Sequence, residues 1–272
     1  MDNGANVNLG NINHYGNTPL RTALEKRYYS RTWPSDLRIR LIIALNSKGK
    51  LAIPWTMDQD FYPVLEAYER GWNVFEEVLR MGVNINETMP LAHIIGEPDD
   101  ASKFSDMTLF MYGVVIKDYD LARAMKERGA DTQKTAIFNF YPYGPIMHLS
   151  PLEYAVQYQS RRDLESLLEI GVDINAVDSE GCTALWKCAS IKNNPRYTPK
   201  CLTLIAHGAD VSKRCGMALG NTTPLEIVDG AHRDAMLEAL ERRRAVHVWG
   251  LYRQQTSISN ELIQYILEGN GL

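Results

Sequence analysis

Residues 150–190 read SPLEYAVQYQSRRDLESLLEIGVDINAVDSEGCTALWKCAS, and this stretch decides the fold. Ser150 and Thr183 are 33 residues apart, and each places a hydroxyl before an apolar segment, where it can cap a helix. Pro151 suits a first helical turn, and Gly171 allows the left-handed residue that ends a helix. The spacing therefore predicts a period made of two helices and a closing turn.

The same pattern recurs along the chain. After Gly171, Val172 and Ile174 alternate with polar residues as a short extended arm should, and residues 208–212 repeat this close. One such unit cannot bury its own apolar face, whereas stacked units can, so the period predicts an array. The predicted starts of the units are Thr18, Tyr62, Thr108, Ser150, Thr183 and Thr223.

The [ST]-[PA]-L start, the small Ala155 one turn later and the L-x-x-G-[AV]-D-[VI]-[NS] close resemble the ankyrin repeat. The resemblance extends from about Gly4 to Arg243. It implies an all-α, ankyrin-like helical solenoid of about six repeats, with short β-hairpin loops and a C-terminal helical cap. The corresponding domains are residues 1–244 for the repeats and 245–272 for a capping or partner-binding helix.

Two insertions interrupt the repeats. Residues 89–103 contain a repeat-like start that Gly96-Glu97-Pro98 breaks, which predicts an elaborated loop with one or two helical turns. Residues 136–148 are aromatic and contain two prolines, where a polar hairpin would be typical of the family. Such rings more often bury an inserted loop than form a ligand pocket.

The C-terminal segment Ile258–Glu268 has the pattern of an amphipathic helix, with four apolar residues on one face. It resembles the opening of an F-box, a module that recruits ubiquitin-ligase adaptors. Ile258-Ser259 stands where that module has Leu-Pro. The alternative is a helix that caps the last repeat, and the sequence favours this second interpretation.

Composition narrows the classes of partner and compartment. The 272 residues are 45% hydrophobic and 23% charged, with a net charge of −4 and one basic triplet, Arg242-Arg243-Arg244. Nucleic acid is therefore not an expected partner. Apolar runs are too short to span a bilayer, and Met1 precedes polar residues, so we expect a cytoplasmic protein, with nuclear entry left open.

The four cysteines are Cys182, Cys188, Cys201 and Cys215. With His207 they offer the residue types of a metal cluster, but no C-x-x-C pair is present. Cys188 and Cys201 fall on the apolar faces of the two helices of one repeat, which favours buried free thiols. We predict no metal site and no cofactor.

Motifs for catalysis are absent from the sequence: it has no G-x-S-x-G, P-loop, H-E-x-x-H or G-x-G-x-x-G. We therefore predict that the protein is not an enzyme. The alternative is an enzyme whose small-molecule pocket is built from the inserted aromatic residues 138–143 with Trp186.

The family resemblance implies a concave surface that binds a partner protein, as an adaptor or regulator. Hairpin tips and the exposed positions of the first helices make that surface. The predicted partner-binding residues are His14, Tyr15, Asn17, Glu25, Lys26, Met147, Gln157, Tyr158, Glu180, Trp186 and Ser190.

Overall fold

The structure is a computed structural model, and it describes residues 40, 63–88, 102–140, 146–191, 196–216, 219–228 and 230–256. The described residues form an all-α helical-repeat fold of ten helices, with three short strands that lie in or overlap the predicted insertions. The elements in chain order are α1 (Pro63–Arg70), α2 (Trp72–Arg80), β1 (Ser102–Ser105), α3 (Leu109–Val115), α4 (Tyr119–Glu127), β2 (Ala136–Phe140), β3 (Ile146–Leu149), α5 (Pro151–Tyr158), α6 (Arg161–Ile170), α7 (Ala184–Ser190), α8 (Tyr197–Ala206), α9 (Pro224–Ile227) and α10 (Gly230–Thr256).

The chain divides into two compact units. The described part of the first unit is residues 63–88, 102–109, 137–140 and 146, and the remaining described residues from 110 onward form the second. In the first unit, α1 packs on α2 through an edge-to-face contact of Tyr68 and Phe75, whose ring centroids are 5.5 Å apart.

Only the last two residues of the predicted insertion 89–103 are among the described residues. Helical turns are predicted for residues 89–103, but Ser102 and Lys103 belong to a strand that pairs antiparallel with β2, Ser102 opposite Phe140 and Ser105 opposite Ile137. Residues 89–101 lie outside the described residues. The aromatic character of residues 136–140 suits a strand, and Phe138 is fully buried as the sequence indicates.

Helix starts in the second unit follow the predicted caps. The Ser150 hydroxyl accepts a hydrogen bond from the Glu153 backbone N–H at 3.3 Å, and the Glu153 carboxylate accepts one from the Ser150 backbone at 2.9 Å. Thr223 and Glu226 form the same reciprocal capping box at α9, and the Thr183 hydroxyl caps α7. The predicted repeat starts at Ser150, Thr183 and Thr223 are therefore confirmed, whereas the predicted start at Thr18 lies outside the described residues.

Packing in the second unit links each helix pair to the next. Helix α5 contacts α6 and α7, α6 contacts α8, and α8 contacts α7 and α10. Ala155 and Ala189 are almost completely buried between these helices, as their small size predicts, and Leu164, Leu167, Leu185 and Leu204 fill the core.

The turn between α6 and α7 contains a β-bridge from Val177 to Thr183. The Asp178 carboxylate accepts hydrogen bonds from the backbone N–H groups of Glu180 and Cys182, at 2.9 and 2.8 Å. This compact turn is the short β-hairpin loop that the repeat pattern predicts.

The structure contains a disulfide that was not predicted from the sequence. It joins Cys182 to Cys215, whose Cα atoms are 4.2 Å apart. They are 33 residues apart in the sequence, one repeat period, so successive turns bring them together. Cys188 and Cys201 are buried free thiols, as predicted.

Helix α10 is one continuous helix over Gly230–Thr256. It therefore includes the residues on both sides of the predicted boundary between residues 244 and 245. The amphipathic segment 258–268, with its F-box resemblance, lies outside the described residues. None of the described helices combines the length and the apolar character that crossing a membrane requires.

Candidate protein-binding surface

Four residues of the second unit form a surface cluster that we call the tyrosine patch: Met147, Tyr154, Tyr158 and Tyr197. Tyr154 and Tyr158 lie one turn apart on α5, with ring centroids 5.5 Å apart and planes inclined at 33°. The Tyr158 hydroxyl contacts the Met147 Sδ at 3.6 Å. The Tyr158 side chain is 45% exposed although it is large and aromatic.

Tyr197 is the first residue of α8 and the member of the patch that contacts α5 from that helix. Its hydroxyl donates a hydrogen bond to the backbone oxygen of Gln157 at 3.2 Å. Partial burial raises the pKa of Tyr158, and the neighbouring Tyr197 adds to this increase. The tyrosine patch is thus an uncharged surface of aromatic rings. At least one of its hydroxyl groups, that of Tyr197, already makes a hydrogen bond within the protein.

A charged cluster occupies the turn before α7. The Lys187 ammonium pairs with Asp178 at 2.8 Å and also with Glu180. Burial alone would lower the pKa of Lys187, but the hydrogen bonds to these two carboxylates outweigh it and raise that pKa. Glu180 is exposed, so the cluster presents charge to solvent.

The structure brings together part of the predicted surface. Met147, Gln157 and Tyr158 are neighbours in and beside the tyrosine patch, and Ser190 lies half-buried on α7 with its hydroxyl donating to the Lys187 carbonyl. The predicted residues His14, Tyr15, Asn17, Glu25 and Lys26 lie outside the described residues.

Trp186 is placed in the core. Its side chain is 8% exposed and packs against Cys182, Cys215 and Ile227. Its indole N–H donates a hydrogen bond to the Thr222 hydroxyl at 3.2 Å. The ring therefore stabilises the contact between two successive repeats and has little surface to offer a partner.

Two members of the patch were missed by reasoning from the sequence. Tyr154 is four residues before Tyr158, a spacing that places two side chains on the same helix face, so this signal was available. Tyr197 lies between Pro195 and Pro199, where no periodicity indicates the direction of its side chain. Its position depends on the tertiary contact with Gln157.

A small cavity lies below the turn before α7, with Ser150, Glu153 and Asp178 among its lining residues. Its volume is about 40 Å³, far below the roughly 300–1,000 Å³ of a small-molecule site.

The nearby Asp178, Glu180 and Cys182 offer ligand atoms within 4.8 Å of one another. Because Cys182 is disulfide-bonded and Lys187 pairs with both carboxylates, these three residues do not fit a metal ion.

Comparisons with known proteins give structural neighbours only. No family model and no curated protein matches the chain. The ankyrin repeat domain of Bcl-3, a member of the IκB protein family, is similar with a TM-score of 0.45 and 21% identity, over 73% of this chain and 81% of that chain. A structure of a predatory endopeptidase from Bdellovibrio bacteriovorus in complex with an immunity protein is similar with a TM-score of 0.44 and 18% identity, over 82% of this chain and 97% of that chain. Because these sequence identities are low, the fold is identified from the repeat geometry of this chain and not from its neighbours.

Proposed function

We propose that the protein binds a partner protein through the tyrosine patch, as an adaptor or regulator without catalytic activity. The observation that carries the proposal is the exposed Tyr158 ring, which is held between Tyr154 and Met147 on the surface of a repeat. Interface hot spots are enriched in tyrosine, which supplies a large contact area with few rotatable bonds.

Preorganisation supports this assignment. The ring–ring contact with Tyr154 and the sulfur contact with Met147 restrict Tyr158 before any partner arrives. A partner then loses less conformational entropy when it immobilises the side chain. The exposed charge of Glu180, paired with Lys187, would affect the association rate and the salt dependence more than the affinity.

The test begins with affinity capture from the native cell and identification of captured proteins by mass spectrometry. Binding of the leading candidate is then measured by calorimetric titration with the wild type and with Tyr154→Ala/Tyr158→Ala. We expect the double variant to weaken binding by at least about tenfold, or about 1.4 kcal/mol. Helical circular dichroism should be unchanged, because Tyr158 is 45% exposed and Tyr154 is only half-buried, so neither ring belongs to the buried core.

Two further variants make the result specific. Tyr158→Phe keeps the ring and removes only the hydroxyl, so it should bind nearly as the wild type does. Glu169→Ala changes an exposed residue of α6 outside the patch and should have no effect. Equal affinities for the wild type and a well-folded double variant would contradict the proposal.

The cellular role is a further part of the proposal. A cytoplasmic adaptor would carry its partner on the tyrosine patch and recruit ubiquitin-ligase components through residues 258–268. Deletion of this segment should then abolish capture of ligase subunits and leave capture of the patch partner intact. If the chain without this segment still captured ligase subunits, residues 258–268 would not be the ligase-binding segment. The tyrosine patch would then be the only interaction surface proposed.

A further inference from the structure

Two buried thiols meet between the helices of one repeat. Cys188 on α7 and Cys201 on α8 are both completely buried, and their Sγ atoms are 2.8 Å apart. Apart from the Cys182–Cys215 disulfide, the other sulfur contacts in the described residues are longer: the Cys188 Sγ lies 3.4 Å from the Tyr197 carbonyl oxygen, and the Tyr158 hydroxyl contacts the Met147 Sδ at 3.6 Å. The Cys188–Cys201 contact is thus closer than packing of thiols alone requires.

The distance between the two Sγ atoms indicates which chemistry the pair can support. In a tetrahedral zinc site, Zn–S bonds of about 2.3 Å place the two sulfurs roughly 3.8 Å apart, which is wider than observed here. A disulfide requires about 2.0 Å, so the sulfurs would need to approach by less than an ångström. The geometry therefore favours a disulfide over a bound metal ion.

We propose that Cys188 and Cys201 are a second disulfide site, which a low-molecular-weight disulfide oxidises to join α7 covalently to α8. The thiolate of one cysteine attacks the reagent, forms a mixed disulfide and releases one reagent thiol. The thiolate of the other attacks the protein sulfur of this mixed disulfide and releases the second. Both cysteines lose a proton, and the two electrons reduce the reagent to two thiols.

Burial makes this oxidation slow in the folded chain and links it to local opening. Burial raises the pKa of the Cys188 thiol well above its ordinary value, and the neighbouring Cys201 sulfur raises it further, so the reactive thiolate is scarce. Oxidation also removes the Cys188 S–H group that donates to the Tyr197 carbonyl. The redox state of the pair therefore acts directly on a member of the tyrosine patch.

Refolding gives a test that does not depend on access to the folded core. The reduced, unfolded full-length chain is refolded in glutathione buffers of graded redox ratio, alkylated and digested with trypsin. Cleavage after Lys187, Lys192, Lys200 and Lys213 places Cys188 and Cys201 on separate peptides, 188–192 and 201–213. Cys182 and Cys215 fall on two other tryptic peptides, so every pairing has its own mass.

We expect peptides 188–192 and 201–213 to be recovered joined, with a mass about 2 Da below the sum of the two thiol forms. Half-oxidation should require a ratio of oxidised to reduced glutathione at least about 100-fold lower in the folded chain than in the same chain held in urea. Cys201→Ser should yield no joined product of peptide 188–192.

Three results would overturn the proposal. The first is recovery of both peptides singly alkylated from chain that circular dichroism shows to be folded. The second is the same redox midpoint with and without urea. The third is a bridge from Cys188 to Cys182 or Cys215.

Discussion

Glu153 illustrates how one residue serves both the fold and its pH response. It is almost completely buried, and its carboxylate accepts the Ser150 backbone N–H in the capping box of α5. Burial raises the pKa of Glu153, and the hydrogen bonds with Ser150 offset only part of this increase. Glu226 occupies the same capping position in α9, but it is exposed, and its contacts with Thr223 and Arg214 lower its pKa.

We therefore predict opposite pH responses for Glu153→Gln and Glu226→Gln. A glutamine keeps the capping geometry and removes the ionisation. The folded pKa of Glu153 exceeds its unfolded value, so ionisation destabilises the wild type as pH rises from about 4. Relative to the wild type, Glu153→Gln should gain stability between pH 4 and pH 7.

Glu226 gives the control, because its lowered folded pKa makes ionisation stabilising. Glu226→Gln should thus lose stability relative to the wild type as pH rises from the lowered folded pKa of Glu226 to the unfolded value of about 4.3. Urea unfolding at about pH 3, 4, 5.5 and 7 measures both differences. If the two variants changed in the same direction with pH, burial would not be the cause at Glu153.

At the scale of single residues, the helix caps could be predicted from the sequence, but close contacts between distant parts of the backbone could not. Ser150, Thr183 and Thr223 are local signals, because a hydroxyl and the residue three positions later form a cap within one turn. Gly216 is different: a Cβ there would lie 2.0 Å from the Glu180 carbonyl oxygen. That restriction comes from a turn 36 residues earlier, and no local pattern of residues 213–216 records it.

At the scale of elements, a lysine of one repeat caps a helix of the next. The Lys126 ammonium, in the last turn of α4, donates to the carbonyl oxygens of Ile170 and Gly171 at 2.5 and 2.6 Å. These carbonyls end α6, where a helix leaves acceptors unsatisfied and carries partial negative charge. The contact joins two repeats through the polar end of a helix.

Lys126→Met should lower the free energy of unfolding by about 1.5–3 kcal/mol, since it removes a charged hydrogen-bond donor from these carbonyls. Lys126→Arg should recover most of this loss. Arg123→Met, on the exposed side of the same helix, controls for the loss of a positive charge and should change stability by less than about 0.5 kcal/mol. Urea denaturation gives all three values. Equal losses for Lys126→Met and Arg123→Met would show that the capping contact adds nothing.

Periodicity explains which elements could be predicted. The apolar spacing of residues 161–170 and the left-handed Gly171 bound α6 correctly. The strands β1 and β2 were missed because their pairing joins Ser102 to Phe140, 38 residues away, and neither segment has the alternation of a half-buried strand. The tyrosine patch could be predicted only in part. Helix α5, which carries Tyr154 and Tyr158, was predicted, but the contact of Tyr197 with this helix was not.

At the scale of the molecule, the second unit is a sequence of helix pairs in which each pair packs on the next. Helices α5 and α6 contact α7 and α8, which contact α9 and α10. In such arrays, stability depends on the interfaces between neighbours as well as on each pair, so opening of one pair exposes the next. Leu167 is completely buried in α6, at the centre of this arrangement.

Leu167→Ala should therefore reduce amide protection in α5, α6, α7 and α8 together, by about 2–5 kcal/mol, the usual cost of a buried leucine truncated to alanine. Hydrogen exchange followed by mass spectrometry resolves these helices separately. Glu169→Ala, an exposed position of the same helix, should leave protection unchanged. If only α6 lost protection, the helix pairs would open independently, and the interface between repeats would not couple them. Concerted loss would show instead that the order of the surface presenting Tyr158 depends on the packing of the adjacent helix, α6.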